Sequence, residues 1–154
     1  MDGIGSTAAR LDGLLAGMTP EQREEPIAPG KWSPRQIAVH LADCEVAFGF
    51  RIRQALSPAE GEPHSVIQPF DQDAWATRYE VYDLGLALAL FRAARAWNVR
   101  LLQTVSKDDE QRLITHPERG TMSFQTLLES TPLAMRGIHS SCSSGCMDEA
   151  ISPR

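Results

Sequence analysis

The segment 33–56 constrains the fold more than any other part of the sequence. Ser33 is suited to the N-cap of a helix and Pro34 to its first position, and Gln36 completes a capping box that satisfies free backbone N–H groups. Apolar residues then recur every three or four positions, as on one buried face of a helix: Ile37, Leu41, Cys44, Phe48 and Ile52. Ser57 is followed by Pro58, which cannot continue a helix. The sequence therefore predicts a long, partly buried helix here.

Two other segments show the same apolar spacing. Residues 6–18 carry leucines and a methionine on one side, and residues 83–105 carry a longer apolar stripe that begins after Asp83, a suitable N-cap. A further helix is expected to begin at Ser123. Pro132 lies only a short distance into it, and a helix interior tolerates proline poorly.

The connections between these helices are long. They contain proline, glycine and polar residues, and we predict them to be irregular: residues 19–32, 57–72 and 106–122. The sequence shows no alternation of apolar and polar residues that would indicate strands. The prediction is an all-α four-helix bundle with long connections, whose fourth helix is truncated or disrupted.

Composition narrows the class of protein. The chain has 154 residues, and 15 basic against 20 acidic side chains give a net charge of −5, which argues against a nucleic-acid surface. No apolar run is long enough to cross a bilayer, and the first residues do not resemble a signal peptide. Three cysteines are too few for a secreted disulfide framework. We expect a cytoplasmic protein with neither nucleic-acid nor membrane partners.

His40 is the strongest candidate for a functional side chain. It lies beside Ile37 and Leu41, so its ring should point into the bundle or toward its rim. An inward imidazole can bind a metal, with a carboxylate such as Asp43 nearby to orient it. The other interpretation, which the spacing alone favours, is a half-buried histidine that is hydrogen-bonded to a neighbour.

Arg95 falls close to the apolar face of the third predicted helix. It either pairs with a buried carboxylate, Asp43 or Glu45, or extends its charged end to solvent. Arg51 and Glu45 are expected to be surface charges, with a bundle-facing position as the alternative for Glu45, and His116 is expected to be a turn residue before a proline.

Near the C-terminus, Cys142 and Cys146 lie close to His139. Their spacing is not the usual spacing of a zinc knuckle, and no second ligand pair follows.

Several segments resemble the DinB/YfiT-like superfamily. Residues 30–45, with the sequence GKWSPRQIAVHLADCE, resemble the opening signature of that family. The segments 70–76 (FDQDAWA), 91–95 (FRAAR) and 116–120 (HPERG) are similar to further parts of it. The resemblance extends over about residues 11–129, most of the chain.

This resemblance implies a four-helix bundle and a metal site. The family holds a divalent metal, nickel or zinc, with three histidines, and His40 stands at the position of the first ligand. The other two ligands come from a pair on the fourth helix, which should fall near residues 134–139, where His139 is the sole histidine. Relatives include S-transferases that use a low-molecular-weight thiol, and hydrolases. The resemblance thus implies a bacterial metal-dependent enzyme with a small-molecule substrate, and a homodimer is possible.

The sequence departs from the family after about residue 130. We therefore divide the chain into a bundle domain, 1–130, and a divergent tail, 131–154, which is either shifted in reading frame or naturally divergent. Because at most one histidine of the second ligand pair, His139, is present there, we expect an incomplete metal site. The alternative is a catalytically inactive bundle that acts by binding a ligand or by dimerising.

Overall fold

A computed structural model describes residues 3–58, 60–61 and 64–130. The described chain is mostly helical, with a small sheet on one side. The α-helices are α1 Gly3–Ala16, α2 Pro20–Glu24, α3 Pro34–Leu56, α4 Gln72–Ala76, α5 Leu84–Leu102, α6 Lys107–Glu110 and α7 Phe124–Glu129. A 3₁₀ turn spans Tyr79–Val81, and the strands are β1 Ser65–Val66, β2 Leu113–His116 and β3 Gly120–Ser123.

The predicted starts of the two long helices are confirmed, as is the end of α3, whereas α5 ends at Leu102, before the predicted end near residue 105. The Ser33 hydroxyl accepts a hydrogen bond from the Gln36 N–H at 3.2 Å, and the Gln36 side chain accepts one from the Ser33 N–H at 2.9 Å. Asp83 caps α5 by accepting from the Leu86 N–H at 2.8 Å. Local capping chemistry therefore sets the start of both helices, and α3 and α5 then pack along each other.

The core consists of two apolar clusters along α3. The larger cluster joins the C-terminal half of α3 to the end of α5, to β2 and to α7; its buried members are Cys44, Phe48, Ile52, Ala55, Ile67, Leu102, Ile114, Phe124 and Leu127. The smaller cluster packs the start of α3 against the start of α5 and the 3₁₀ turn through Ala38, Val39, Tyr79 and Ala87. The predicted apolar face of α3 therefore does form the centre of the molecule.

The prediction that strands are absent was wrong. β1 pairs with β2 in parallel, with Ser65 opposite Ile114, and β2 pairs with β3 as an antiparallel hairpin. The hairpin turns through Gly120, whose φ of 76° favours glycine. Strands of two to four residues are too short to show an alternating pattern, so they could not be predicted from periodicity. The sheet is an accessory to the helices, and the all-α class stands.

The predicted start of the last helix at Ser123 is confirmed, since its hydroxyl accepts from the Thr126 N–H at 3.1 Å. The predicted disruption at Pro132, the residue His139 and the tail 131–154 lie outside the described residues. Within the residues that are described, no helix is both long and apolar enough to span a membrane.

Candidate functional site

A cleft of about 560 Å³ lies on one side of α3. Its walls come from α3, the loop that leads from β1 into α4, the β2–β3 hairpin and α7: His40, Cys44, Phe48, Arg51, Pro69, Phe70, Asp71, Gln72, Asp73, His116, Glu118, Arg119, Met122, Leu127 and Ser130. Two of the three connections that were predicted to be irregular, residues 57–72 and 106–122, therefore contribute to the walls of the cleft. Its size is in the range of small-molecule sites.

The structure places His40 in this cleft, among aromatic rings. Its side chain comes from the second turn of α3, and the residue is 8% exposed. The ring centre lies 4.8 Å from that of Trp32 and 6.3 Å from that of Phe70, which is nearly parallel to it. Burial lowers the pKa of His40 to about 4, and the charge of Asp73 opposes this only in part. The imidazole is therefore neutral near pH 7.

The hydrogen-bond partners of His40 indicate its tautomer. Nδ1 lies 3.3 Å from the hydroxyl oxygen of Tyr79. The Tyr79 hydroxyl lowers the pKa of the Asp43 carboxyl against the larger, raising effect of burial, so its O–H is directed toward Asp43 and its oxygen is left to accept from Nδ1–H. Burial raises the pKa of the Cys44 thiol to about 12, and its Sγ lies 3.4 Å from Nε2. The protonated thiol donates to Nε2, which therefore holds the lone pair of the ring.

This arrangement agrees with one predicted interpretation of His40, and the metal-ligand interpretation stays a prediction. It is a buried histidine with hydrogen bonds to its neighbours, as the spacing alone favoured. Asp43 lies behind it and acts through Tyr79, an arrangement similar to the carboxylate–histidine pairs that orient metal ligands. Tyr79, which lies in the smaller core cluster, was missed because it is remote in sequence from α3.

Arg95 is buried against Glu45, which confirms one of the two predicted pairings and excludes Asp43 as its partner. Nε of Arg95 lies 2.7 Å from Oε1 of Glu45, and both side chains are almost fully buried. Burial raises the pKa of Glu45 and lowers that of Arg95, and their mutual attraction opposes both changes. Asn98 completes the cluster by donating to the Glu45 carbonyl at 2.8 Å and to its carboxylate at 3.2 Å. These residues do not line the cleft and instead join α3 to α5.

Two residues that the sequence assigned to the surface or to a turn lie in the cleft wall. Arg51 is half-buried, donates to the Gln68 carbonyl at 2.9 Å and lies over the Phe48 ring. His116 ends β2 and is 7% exposed. Burial lowers the pKa of both residues, and the nearby charge of Arg119 lowers both further. No local pattern could have brought them together, because the hairpin that carries His116 was not predicted.

The described residues do not by themselves fit a three-ligand metal site. Among them, no group of three or more histidine, cysteine, aspartate or glutamate side chains is arranged to hold an ion. His40 and Cys44 are adjacent donors on one helix face, but His116 does not join them in such a group. Because His139 lies outside the described residues, the structure leaves the predicted His40–His139 pairing untested.

Comparison with known proteins places the chain in a family. The profile of the DinB superfamily matches residues 5–130, and the chain belongs to that superfamily. A protein of Oceanobacillus iheyensis named "Putative metal-dependent hydrolase" is 31% identical over 116 residues, which are 74% of this chain and 64% of that protein. "Putative metal-dependent hydrolase YfiT" of Bacillus subtilis is 29% identical over 112 residues, 71% of this chain and 61% of that one. The chain thus spans less than two thirds of these relatives.

A solved structure supports the same assignment. It is described as "YfiT from Bacillus subtilis is a probable metal-dependent hydrolase with an unusual four-helix bundle topology". It matches this chain with a TM-score of 0.71 and 25% sequence identity, over 90% of this chain and 75% of the other. The fold implied by the family resemblance is therefore confirmed, and the relatives carry names that describe metal-dependent hydrolysis.

Proposed function

We propose that the protein is a metal-dependent enzyme of the hydrolase or thiol S-transferase type that acts on a small molecule. In this proposal, His40 is the one metal ligand that the described residues supply, through Nε2. The observation that carries it is the orientation of the ring: a neutral imidazole, fixed by Tyr79, whose lone pair is on the nitrogen beside Cys44 in the wall of the cleft. Nickel or zinc is the proposed metal, and a low-molecular-weight thiol the co-substrate of the transferase variant.

The metal site of this chain is proposed to be incomplete. A catalytic zinc site generally uses three protein ligands, and the described residues contain no such group. The proposal includes the division of the chain into a bundle domain, 1–130, and a divergent tail, 131–154. It also includes a bacterial source, a cytoplasmic location and a homodimer. Sequencing the gene beyond the Glu129 codon and reading all three frames tests the tail: an H-x3-H pair in another frame supports a shift, and its absence from all frames supports natural divergence.

Calorimetric titration with Zn²⁺ and with Ni²⁺ tests both parts of the metal proposal. We expect binding weaker than about 1 μM in the wild-type chain, and still weaker binding in His40→Ala. The control is His64→Ala, since the His64 ring bonds to Thr115 and is not part of the cleft lining. Submicromolar binding that disappears in His40→Ala would show that the site is complete. Equal binding in wild type and His40→Ala would exclude His40 as a ligand.

A second measurement tests the orientation of His40 without any metal. Long-range ¹H–¹⁵N correlation spectra report which ring nitrogen carries the proton. We expect the Nδ1–H form in the wild type and a mixture of both forms in Tyr79→Phe, which keeps the ring and removes the acceptor. An Nε2–H ring in the wild type would contradict the assignment.

The competing function is a binding protein without catalysis. The observation that favours it is the same lack of a three-donor group among the described residues, together with a cleft large enough for a small molecule. Weak metal binding combined with tight binding of an organic ligand in the cleft would support this alternative.

A further inference from the structure

One corner of the cleft carries three nitrogen-bearing side chains that the metal proposal does not use. Arg51 comes from α3, His116 from the end of β2, and Arg119 from the turn between β2 and β3. Asp71 and Asp73 line the cleft from the loop and helix that follow β1. The basic groups of the cleft thus come from α3 and the hairpin, and the hairpin also contributes one acidic residue, Glu118.

Arg51 is held in place with most of its donors unused. One Nη2 hydrogen bond goes to the Gln68 carbonyl, and the guanidinium lies 5.6 Å from the centre of the Phe48 ring. An arginine side chain has five N–H donors, and the described residues give Arg51 no ion pair. The side chain is therefore fixed in orientation, yet it can still bind a partner.

Arg51 and Arg119 line the same cleft. Burial lowers the pKa of Arg51, and the positive charge of Arg119 lowers it further. The acidic group of this corner is Glu118, whose charge acts in the opposite direction on Arg51 and on His116. In the described ranges, Glu118 forms no ion pair with either arginine. Two neighbouring guanidinium groups without a bound carboxylate favour an anion from outside the chain.

His116 supplies a third donor of defined position. Its Nδ1 accepts a hydrogen bond from the Glu118 N–H at 3.2 Å, so the neutral ring carries its proton on Nε2. No described residue forms a hydrogen bond with Nε2, although the residue is 7% exposed and lines the cleft. This nitrogen is not among the buried side-chain atoms that lack a partner, so solvent reaches it and its N–H can donate to a ligand in the cleft that His116 lines.

We propose that Arg51, Arg119 and His116 form a subsite for an oxyanion of the substrate, a carboxylate or a phosphate group. This proposal rests on the proposed function, because it assumes that the cleft binds a substrate. It adds the substrate class, which is small organic acids or phosphate esters. Arginine forks match the geometry of both oxyanions, and the His116 Nε2–H adds a third donor. The rest of the substrate would then extend along the cleft toward His40.

Titration of the ¹⁵N-labelled full chain with inorganic phosphate, and separately with acetate, tests the subsite. We expect saturable shifts of hairpin amides with one or both anions, and the anion that saturates at lower concentration identifies the group. Arg119→Gln should weaken binding about tenfold, since one charge-assisted contact is worth about 1.4 kcal/mol or more. Arg119 is exposed, so its substitution leaves the core intact. Arg51→Gln should give a similar loss.

The matched control is Arg100→Gln, which removes the same charge from an exposed position of α5 outside the cleft lining. It should bind both anions as the wild type does. An equal loss in Arg100→Gln, or no saturable shift with either anion, would overturn the proposal. The two variants distinguish a failure of the anion proposal from a failure of the metal proposal. His40→Ala should bind anions as the wild type does, and Arg119→Gln should bind metal as the wild type does.

Discussion

Gly49→Ala should destabilise the protein, although alanine is the better helix former. Gly49 lies inside α3 where that helix meets α5, and a Cβ atom there would be 2.5 Å from Oδ1 of Asn98 and 3.0 Å from its Nδ2. Atoms do not approach this closely, so the Asn98 side chain would have to move. It is 2% exposed, and moving it would break its hydrogen bonds to Glu45 and Arg53.

The expected magnitude follows from the hydrogen bonds of Asn98. Its amide donates to Glu45 twice and accepts from Arg53 at 3.2 Å. Buried polar groups that lose their partners cost about 1–3 kcal/mol each, and the Asn98 amide and the Glu45 carboxylate would both be affected. Replacing a helical glycine by alanine stabilises a helix by about 1 kcal/mol, which offsets part of this loss. We therefore expect a net loss of about 3 kcal/mol in the free energy of unfolding.

Urea denaturation followed by circular dichroism measures this change. Gly13→Ala is the matched control, because a Cβ at that helical position meets nothing within 4 Å, and it should stabilise the protein by up to about 1 kcal/mol. In an Asn98→Ala background the clash is absent, so Gly49→Ala should there behave like the control. If Gly49→Ala alone stabilised the wild type as Gly13→Ala does, the close packing of Gly49 on Asn98 would be refuted.

Two further predictions concern buried charge. Glu45→Gln leaves the Arg95 guanidinium buried without a counter-charge, and it should lower the free energy of unfolding in urea by about 3–5 kcal/mol; a loss below about 1 kcal/mol would show that the pair is hydrated in solution. In the presence of EDTA, stability should fall as the pH drops from about 6.5 to about 4 and then level off, because the unfolded chain binds a proton on His40 more readily than the folded chain does. The shift corresponds to about 3 kcal/mol, and His40→Phe should lack this part of the pH dependence; the same slope in both proteins would contradict the lowered pKa.

The parts of the fold that were predictable are those whose cause is local. Ser33 and Gln36 cap α3 through bonds that span three residues, and Asp83 does the same for α5, so their sequence signals were sufficient. The position of Arg95 on the apolar face of a helix left two alternatives open, a buried ion pair and a side chain directed to solvent, and the structure shows the ion pair. The choice of Glu45 over Asp43 required the register of α3 against α5, which no local pattern specifies.

The cleft was predictable only on the α3 side. His40 follows from helical periodicity, whereas its partner Tyr79 comes from a turn that leads into α5. The corner with His116 depends on a parallel pairing between segments that are far apart in sequence, and the strands are too short to carry a periodic signal. Long-range pairing of short segments is a property of the assembled chain, so sequence reasoning placed these residues in loops.

The parallel pairing of β1 with β2 also has a consequence for the order in which parts of the cleft form during folding. It encloses α4 and α5 in one long loop, and closing that loop costs chain entropy that two residue pairs cannot offset alone. We therefore expect the α3–α5 interface to form first and the sheet to close onto it late. In the native protein the same hierarchy allows the sheet to open while the long helices stay folded. Hydrogen exchange at the Ile67 amide, which bonds to the Thr115 carbonyl at 2.9 Å, would report this opening separately from exchange in α3. A ligand in the cleft would then slow exchange at Ile67 and leave the helix core unchanged.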